Sequence, residues 1–487
     1  MTASETTSPT GPPPTGADRP GGEGWTAAWE LLLPTASAPP RRRGLLLQSA
    51  LREAVRSGRI AAGTRLPASR ELAADLGVSR GLVTDAYEQL TAEGYLTSSR
   101  GSGTWVSGAV RAVGGTPAAP PAAPAAPPAG FLPGSPDLSL FPRATWSAAH
   151  RRALAGLPHH GLGYPDPRGL PRLRTALAAL LARRRGVVAD PGCVIVCSGV
   201  AQAMTLLGLA LAGSGRGGTV AVEDPGSPEH GALFAAAGLR AVPVPLDAEG
   251  LSAAALAASG ARAAVLTPAH QFPSGIACSA RRRLELLDWA RARDGLLIED
   301  DYDGDFRYDR APVGALQGLA PERVAYTGSV SKSLAPGLRL GWLVVPESLA
   351  DLVAERKRTL DLGNPAIDQA LLADFITRGD YDRQLRRCQR AYRERRDVLI
   401  AALTERFPGT EVTGIAAGLH VIATLPARHG PQDRFLARAA EAGVALRPLS
   451  DYRSAGGPPA DGSVRLVLGY AHLPPARIRE TVRLLPC

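Results

Sequence analysis

The sequence predicts an α/β protein made of two folded units, a small basic helical one and a large one with a mostly parallel central sheet. An uncharged Pro- and Ala-rich stretch at 114–130 lies between residues 41–107 and residues 131–487. Apolar residues recur at helical spacing in the first of these segments, whereas the second alternates short Val-, Ile- and Leu-rich runs with amphipathic helices. Near-continuous apolar strands between helices are typical of a parallel sheet that is covered on both faces.

Composition places the chain among multidomain proteins without a membrane span. Its 487 residues suffice for two or more domains. The sequence contains no run of about 18 uncharged apolar residues, so no transmembrane helix is predicted. The five scattered cysteines suit a reducing, cytoplasmic location, and we predict no metal site. Residues 1–40 begin with a Pro-, Gly-, Ser- and Thr-rich stretch and are expected to be disordered or weakly ordered. Residues 108–130 are expected to form an extended linker.

The small unit follows the layout of a winged helix-turn-helix. Apolar spacing predicts a first helix over Leu45–Ser57. Two further helices are predicted with Ser69 and Ser79 as their N-caps, separated by a turn that contains Gly77. The stretch YLTSSRGSGTWV then predicts a glycine-rich hairpin, the wing, with Arg100 at its tip.

Charge and geometry favour DNA as the partner of this unit. Residues 41–111 carry eleven arginines against six acidic residues. The first residues of a recognition helix point into the major groove, and glycines in a wing let the backbone approach DNA closely. A solvated basic bundle that binds protein is the alternative interpretation. The predicted DNA-contacting residues are Arg65, Ser69, Arg70, Ser79, Arg80, Arg100 and Gly101.

A family resemblance agrees with this interpretation. The stretches RLPASRELAADLGVSR, AYEQLTAEGYL and GSGTWV resemble the GntR-type winged helix domain over essentially its whole length. The resemblance implies binding to double-stranded promoter DNA. The sequence departs from the family at residues 81–82, Gly-Leu, where polar or hydroxyl residues are frequent, so the operator sequence is not implied. The implied DNA contacts are Arg70, Ser79, Arg80 and the wing at Gly101.

Lysine is scarce in this chain, which draws attention to the two lysines that are present. Of the 55 Lys and Arg residues only Lys332 and Lys357 are lysines. Arginine binds phosphate, but it cannot serve as a Schiff-base amine, whereas a deprotonated lysine can. Lys332 is therefore a candidate for amine chemistry, with chance survival as the alternative. Lys357, in the run ERKR, is predicted to be an ordinary solvated residue.

The neighbours of Lys332 in the chain favour a pyridoxal 5'-phosphate (PLP) site. Such a site needs an amine, a carboxylate for the pyridinium nitrogen, a donor for the 3'-oxygen, and hydroxyl, amide and arginine ligands for phosphate. The run IEDDY offers Asp300 and Tyr302 at a predicted strand end. Ser329 comes three residues before the lysine and Arg339 seven residues after it. Each motif is weak alone, but their order along the chain is informative.

That order resembles the fold-type I PLP-dependent aminotransferases over about residues 131–487, and most of all the aminotransferase-like half of MocR-type regulators. The stretches that carry the likeness include YPDPRGLPRLR, SGVAQAM, EDPGSPEH, TPAHQFPSG and TGSVSKSLAPGLRLGW. The resemblance implies PLP as cofactor and a homodimer. By position it implies Lys332 as the aldimine lysine, with Asp300 at the pyridinium nitrogen and Tyr302 and Gln271 at the 3'-oxygen. It places the phosphate beside Ser329, Arg339 and the backbone of Val200 and Ala201, with Tyr164 reaching the phosphate from the second subunit. It implies that Arg465 binds an amino acid's carboxylate.

The sequence departs from the aminotransferase pattern at two positions. Ser227 stands where an aromatic ring usually stacks on the cofactor, and Val200 stands where a hydroxyl often contacts phosphate. Losing one stacking partner costs about 1 kcal/mol of cofactor binding, and His230 is a candidate replacement. Both departures predict a retuned site, weaker in cofactor binding or in catalysis.

The leading hypothesis is a transcriptional regulator whose winged helix binds promoter DNA. Its PLP-binding domain would sense the cofactor, an amino-acid-like effector, or both, through the aldimine of Lys332, with at most a slow or partial transamination half-reaction. Two alternatives stay open at this point. One is an active aminotransferase with an accessory DNA-binding module, and the other is a DNA-binding protein with a cofactor-free domain.

Overall fold

The computed structural model describes residues 38–99, 103–109, 129–213, 218–308, 313–454 and 463–486. The chain divides between residues 125 and 126 into two compact units. Most of the expected N-terminal extension and of the expected linker lies outside the described residues, as do Arg100 and Gly101. None of the described helices is long and apolar enough to cross a membrane.

The small unit is a winged helix-turn-helix, as predicted. Its elements are α1 Arg43–Arg56, β1 Arg65–Leu66, α2 Ser69–Leu76, α3 Arg80–Ala92, β2 Leu96–Ser99 and β3 Gly103–Val106. The strands form an antiparallel sheet in the order β1-β3-β2. Leu47, Leu72 and Val83, one from each helix, are fully buried in the shared core. Helix α1 begins two residues before its predicted start because a short 3₁₀ turn leads directly into it.

The N-caps of helices α2 and α3 differ in one respect from the prediction. Ser79 caps α3 as predicted, since its side chain accepts a hydrogen bond from the backbone N–H of Leu82 at 3.3 Å. Ser69 does not cap α2. The capping residue is Ala68, which is extended, and Ser69 is already helical. Because alanine offers no acceptor, the cap consists of the Glu71 carboxylate, which accepts the backbone N–H of Ala68 at 3.2 Å.

The large unit is built on an eight-stranded sheet with helices on both faces. Its elements are β4 Ala129–Gly130, α4 Arg143–Ala155, α5 Pro171–Arg185, β5 Val194–Cys197, α6 Val200–Gly213, β6 Thr219–Asp224, α7 Pro228–Ala236, β7 Arg240–Asp247, β8 Gly250–Leu251, α8 Ala253–Ala258, β9 Ala263–Leu266, α9 Ala280–Ala292, β10 Leu296–Asp300, β11 Val324–Ser329, β12 Gly341–Val344, α10 Glu347–Asp361, α11 Ala366–Thr377, α12 Asp380–Arg406, β13 Glu411–Thr413, β14 His420–Leu425, α13 Gln432–Glu441, β15 Val444–Ala445, β16 Val464–Gly469 and α14 Pro475–Leu484.

The strand order of the main sheet is β5-β12-β11-β10-β9-β6-β7-β8. Strands β11, β10, β9, β6 and β7 pair in parallel, while β12 runs antiparallel to both of its neighbours and β8 runs antiparallel to β7. Strands β9 and β10 are buried throughout, since apolar clusters cover both faces. The predicted mostly parallel sheet is therefore confirmed, and the carboxyl ends of β6, β9, β10 and β11 meet along one edge.

A second, smaller sheet follows the main one in the chain. Strands β13, β14 and β16 form it in that order, with antiparallel pairing. The short strands β15 and β4 pair in parallel beside it. The long helix α12 lies between the two sheets in sequence, and its second half packs against α14. Strand β16 carries the predicted carboxylate-binding residue Arg465.

Candidate functional site

Lys332 lies three residues beyond the end of β11, at the edge where the parallel strands end. The side chain is partly buried, and its Nζ donates a hydrogen bond to the carbonyl oxygen of Gly134 at 2.5 Å. Burial lowers the pKa of Lys332, while the charges of Asp300 and Asp303 oppose that shift without cancelling it. A lowered pKa enlarges the fraction of neutral amine, which is the form that can attack a carbonyl carbon.

Asp300 is the last residue of β10 and lies opposite Thr327 of β11. Its Oδ2 is 3.0 Å from Nε2 of His230, which projects from α7, and both residues are buried. Burial alone would lower the pKa of His230, but the hydrogen bond and the charge of Asp300 outweigh it and raise that pKa. His230 therefore orients and charge-pairs Asp300 through the edge of its ring. The sequence suggested His230 only as a stacking ring.

The phenol of Tyr302 contacts a buried pair, His270 and Asp303, for which the sequence predicted no role. Nδ1 of His270 lies 3.1 Å from the Tyr302 hydroxyl and 2.8 Å from Oδ2 of Asp303. The His420 ring packs beside that of His270, with ring centroids 5.2 Å apart, and burial lowers the pKa of His420 to about 3. Potential ligand atoms of these two histidines and Asp303 all lie within 4.8 Å of one another, and Nε2 of His420 lies 3.0 Å from the carbonyl oxygen of Pro273.

Gln271 has other partners than the cofactor oxygen that the resemblance implied. Its Nε2 donates to Oε2 of Glu223 at 3.1 Å and to the carbonyl oxygen of Pro225 at 2.9 Å. Its Oε1 accepts from the backbone N–H and the hydroxyl of Ser274. The side chain is buried and both of its polar ends are engaged inside the protein. In this structure Gln271 joins the loops that follow β6 and β9.

The predicted phosphate ligands converge on the turn between β5 and α6, which we call the phosphate turn, residues 198–201. Arg339 donates a hydrogen bond to the carbonyl oxygen of Ser198. Gly199 has φ 88°, and a Cβ there would lie 3.1 Å from a terminal nitrogen of Arg339, so glycine permits this close approach. Val200 and Ala201 begin α6, and the first amides of a helix have no partner inside it. Such an end attracts phosphate.

Ser329 reaches the same region through the register of the sheet. It ends β11 and lies opposite Gly341 of β12, which in turn lies opposite Cys197, the residue before the phosphate turn. Three adjacent strands thus bring a hydroxyl, an arginine and a helix start to one end of the sheet. The sequence predicted this grouping from chain order alone, and it stays a prediction that these groups bind a phosphate.

Lys357 is fully buried, so its prediction as a solvated residue is wrong. Its Nζ forms an ion pair with Asp361 one helical turn later, at 2.9 Å, and also donates to Oε1 of Gln202 at 3.0 Å. The run of charges in ERKR suggested solvent, but helix α10 packs this side against α6. The Lys-to-Asp spacing of four residues was the signal in the sequence that pointed to a paired lysine.

The roles predicted for Tyr164 and Arg465 each involve a molecule beyond a single chain. Tyr164 is 89% exposed, as a side chain that reaches a second subunit would be in one protomer. Arg465 is half-buried on β16, opposite Thr424 of β14, and its Nε donates to the hydroxyl of Ser463 at 3.1 Å. Both roles stay predictions.

The set of donors at this edge fits PLP. It combines an amine of lowered pKa with a buried, histidine-paired carboxylate, a phenol, and a glycine-containing helix start flanked by an arginine. In addition, Nε2 of His270 is buried and has no hydrogen-bond partner within the described part of the chain. A Cβ at residue 275 would lie 3.3 Å from it, so this nitrogen faces the loop after β9.

Four of the predicted DNA-contacting residues are exposed in the small unit, while Ser69 is half-buried. Ser79 and Arg80 are exposed at the start of α3, and Arg70 is exposed in the first turn of α2. Arg65 is exposed on β1, with its guanidinium 5.8 Å from the centre of the Trp105 ring on the neighbouring strand. The described part of the wing is the pair of strands β2 and β3.

Comparisons with known proteins agree with both units. Residues 134–485 match the family described as aminotransferase class I and II, and residues 47–106 match the bacterial regulatory proteins of the gntR family. The probable rhizopine catabolism regulatory protein MocR of Rhizobium meliloti is 35% identical over 92% of this chain and 94% of its own. The HTH-type pyridoxine biosynthesis transcriptional regulator PdxR of Corynebacterium glutamicum is 34% identical over 87% of this chain and 91% of its own.

Solved structures resemble the large unit. An archaeal alanine:glyoxylate aminotransferase is 26% identical with a TM-score of 0.65, and covers 74% of this chain and 90% of its own. LysN, the α-aminoadipate aminotransferase of Thermus thermophilus, solved with N-(5'-phosphopyridoxyl)-L-leucine, is 29% identical with a TM-score of 0.64 and covers 73% of this chain and 90% of its own. The chain therefore belongs to the MocR-type family of proteins, in which a gntR-family helix-turn-helix domain precedes a class I and II aminotransferase domain.

Proposed function

We propose that this protein is a transcriptional regulator that binds promoter DNA with its small unit and PLP with its large unit. One observation carries the proposal: a gntR-family winged helix with an exposed Ser79–Arg80 pair occupies the same chain as the Lys332 site. Relatives that share this arrangement are named HTH-type transcriptional regulators. In a bacterium a DNA-bound regulator works in the cytoplasm at the nucleoid.

Each residue of the site has a distinct task in holding the cofactor. PLP supplies an aldehyde that bonds reversibly to amines and a ring that accepts electrons. Lys332 provides the amine, and its lowered pKa favours the reactive neutral form. Asp300, oriented by His230, places negative charge for the pyridinium nitrogen. Tyr302 donates toward the 3'-oxygen, and the phosphate turn with Arg339 and Ser329 binds the phosphate.

Sensing requires that the protein differ in conformation between the state in which Lys332 is joined to the cofactor and the state in which it is free. An amino-acid-like effector would compete with the Lys332 amine for the cofactor's aldehyde, and Arg465 would hold the effector's carboxylate. A ligand shifts a conformational equilibrium only by its differential affinity for the two states. We propose that this difference alters operator binding by the small unit. The exposed Tyr164 supports a homodimer in which each subunit completes the other's phosphate site.

The cofactor part is tested on the purified full-length protein. Titration with PLP should produce the visible absorbance band of PLP joined to an amine, and borohydride should make the attachment permanent. The chain has only two lysines, so peptide mass mapping distinguishes Lys332 from Lys357 without ambiguity. Lys332→Ala and Lys332→Arg should both lose the band, because neither side chain offers a condensing amine. No band with excess PLP would contradict the proposal.

The regulatory part is tested by footprinting the DNA upstream of the protein's own gene. We expect a protected region whose extent or affinity changes when PLP or an amine is added. Sustained multiple turnover of an amino acid with a keto acid, together with no specific footprint, would instead identify an active aminotransferase. A footprint that is insensitive to PLP in a protein without the absorbance band would identify a cofactor-free domain.

A further inference from the structure

The second lysine of the chain lies directly behind the phosphate turn. Lys357 is 0% exposed, and a buried ammonium group is costly unless hydrogen bonds and a counter-charge compensate it. Its Nζ has three acceptor atoms: Oε1 of Gln202 at 3.0 Å, and Oδ1 and Oδ2 of Asp361 at 3.2 and 2.9 Å. A lysine ammonium group can donate to three acceptors from a single nitrogen atom. The donors of an arginine are spread over a planar fork and do not fit such a cluster.

Gln202 connects this lysine to the backbone of the phosphate turn. The same Oε1 that accepts from Lys357 also accepts the backbone N–H of Ser198 at 2.8 Å. The Nε2 at the other end of the amide donates to Oδ2 of Asp361 at 2.6 Å. A flipped amide would point its NH2 group at the ammonium and its oxygen at the carboxylate. The ion pair of Lys357 and Asp361 therefore fixes which way Gln202 points.

Ser198 is consequently held from several sides. Gln202 binds its backbone N–H, Arg339 donates to its carbonyl oxygen, and Nδ2 of Asn364 donates to its hydroxyl at 2.8 Å. Val200 and Ala201, whose amides begin the helix, are separated from Ser198 by Gly199 alone. The direction in which their N–H bonds point depends on the position of Ser198, because a rotation of the turn would redirect both groups.

We propose that Lys357 is a positioning residue for phosphate, which acts through Gln202 and Ser198 on the amides of the phosphate turn and does not itself touch the cofactor. The inference rests on the proposed function, because it requires that PLP binds at this edge. It also accounts for the lysine content of the chain. One lysine bonds the cofactor's aldehyde, and the other holds the turn for the cofactor's phosphate.

The test compares two ligands that differ only in phosphate, PLP and pyridoxal, on the full-length wild type and on Lys357→Met. Dissociation constants are measured from the visible absorbance of each ligand bound to the protein. We expect the dissociation constant of PLP to rise about tenfold, the loss of one charge-assisted hydrogen bond. That of pyridoxal should stay within about twofold, because ring and aldehyde contacts are unchanged. The preference for PLP over pyridoxal is thus the diagnostic quantity.

A matched control separates positioning from general loss of stability. Arg282 is also a buried cation, paired with Asp247 at 2.7 Å and bonded to the carbonyl oxygens of Gly250 and Leu251. Arg282→Met should lower the melting temperature without changing the PLP-to-pyridoxal preference. Should Lys357→Met fail to fold, Gln202→Met interrupts the same chain of hydrogen bonds at a half-buried position, and the same loss of preference is expected.

The outcomes separate this inference from the proposed function. If the wild type binds neither ligand, the proposed function fails. If the wild type binds PLP and both Lys357→Met and Gln202→Met keep its preference for PLP over pyridoxal, the positioning role is overturned while the proposed function stands. An equal loss of affinity for both ligands would likewise show a purely structural role for Lys357.

Discussion

Gly341→Ala should displace the phosphate turn without altering any residue that we expect to touch the cofactor. Gly341 begins β12 and is buried, and its position lies directly behind Gly199. A Cβ at residue 341 would lie 2.8 Å from Cα of Gly199 and 2.9 Å from the carbonyl oxygen of Gly328. Ordinary carbon contacts begin near 3.4 Å, so the turn has to move by about 0.6 Å to restore one.

The expected magnitude follows from that overlap. Introducing a methyl group into a packed site costs about 1–3 kcal/mol. Movement of the phosphate turn relieves the strain, but it also misaligns the amides of Val200 and Ala201. Weakening one hydrogen bond to a charged phosphate costs about 1.5 kcal/mol, which is roughly a tenfold rise in the dissociation constant of PLP. Protein stability should fall as well, by the part of the strain that movement does not relieve.

The assay is a PLP titration of Gly341→Ala beside Gly337→Ala, with a melting curve for each. Gly337 belongs to the same connection between β11 and β12, but a Cβ there meets nothing within 4 Å. Gly337→Ala should therefore bind PLP like the wild type. The reasoning is refuted if Gly341→Ala binds PLP with wild-type affinity, or if the two variants weaken binding equally.

Three further predictions concern other parts of the molecule. Arg80→Gln should weaken operator binding and reduce the slope of log affinity against log salt by about 1, measured by titrations at several salt concentrations; an unchanged slope would contradict phosphate contact. The raised pKa of His230 means that its pairing with Asp300 stabilises the fold fully below about pH 6.5, the ordinary value, and less as pH rises through the raised pKa. The melting-temperature advantage of wild type over His230→Gln should thus shrink with rising pH, and a constant advantage would argue against this pairing. Arg395→Met should lower the free energy of unfolding by about 3–5 kcal/mol in urea, since it strands the buried carboxylate of Asp137; a loss below about 1 kcal/mol would contradict that.

The sequence was informative where chemistry depends on chain order. Asp300 ends β10 and Lys332 follows β11, and both strands are apolar runs that the sequence shows clearly. Parallel strands bring their carboxyl ends to one edge of a sheet by necessity. Arg339 comes just before the antiparallel strand β12, which begins at that same edge. The two-unit architecture could also be predicted, because apolar residues recur at helical spacing in the first unit and in strand-like runs in the second. A proline-rich stretch separates the two units. The family comparisons confirm that architecture.

Tertiary packing decided what the sequence could not predict. Lys357 sits in a run of charges, and only the packing of α10 on α6 shows that it is buried. His230 and Asp300 are 70 residues apart, so their hydrogen bond has no local signal. Ser69 resembled a helix cap by residue type, but one residue of difference in backbone conformation gave that position to Ala68. Gln271 has the right chemistry for a cofactor oxygen, and only the structure shows that its side chain bonds Glu223, Pro225 and Ser274.

Helix α12 connects the loop that carries Lys332 with helix α14. At 27 residues, Asp380–Arg406, it is a continuous rod about 40 Å long. Near the start of the helix, Gln384 donates to the carbonyl oxygen of Ser333 at 3.0 Å. Two turns later, the Tyr392 hydroxyl donates to the carbonyl oxygen of Lys332 at 3.3 Å. Its far end packs against the C-terminal helix α14. The backbone at Lys332 and helix α14 therefore contact one continuous element, which is the kind of packed connection that a coupling between them would require.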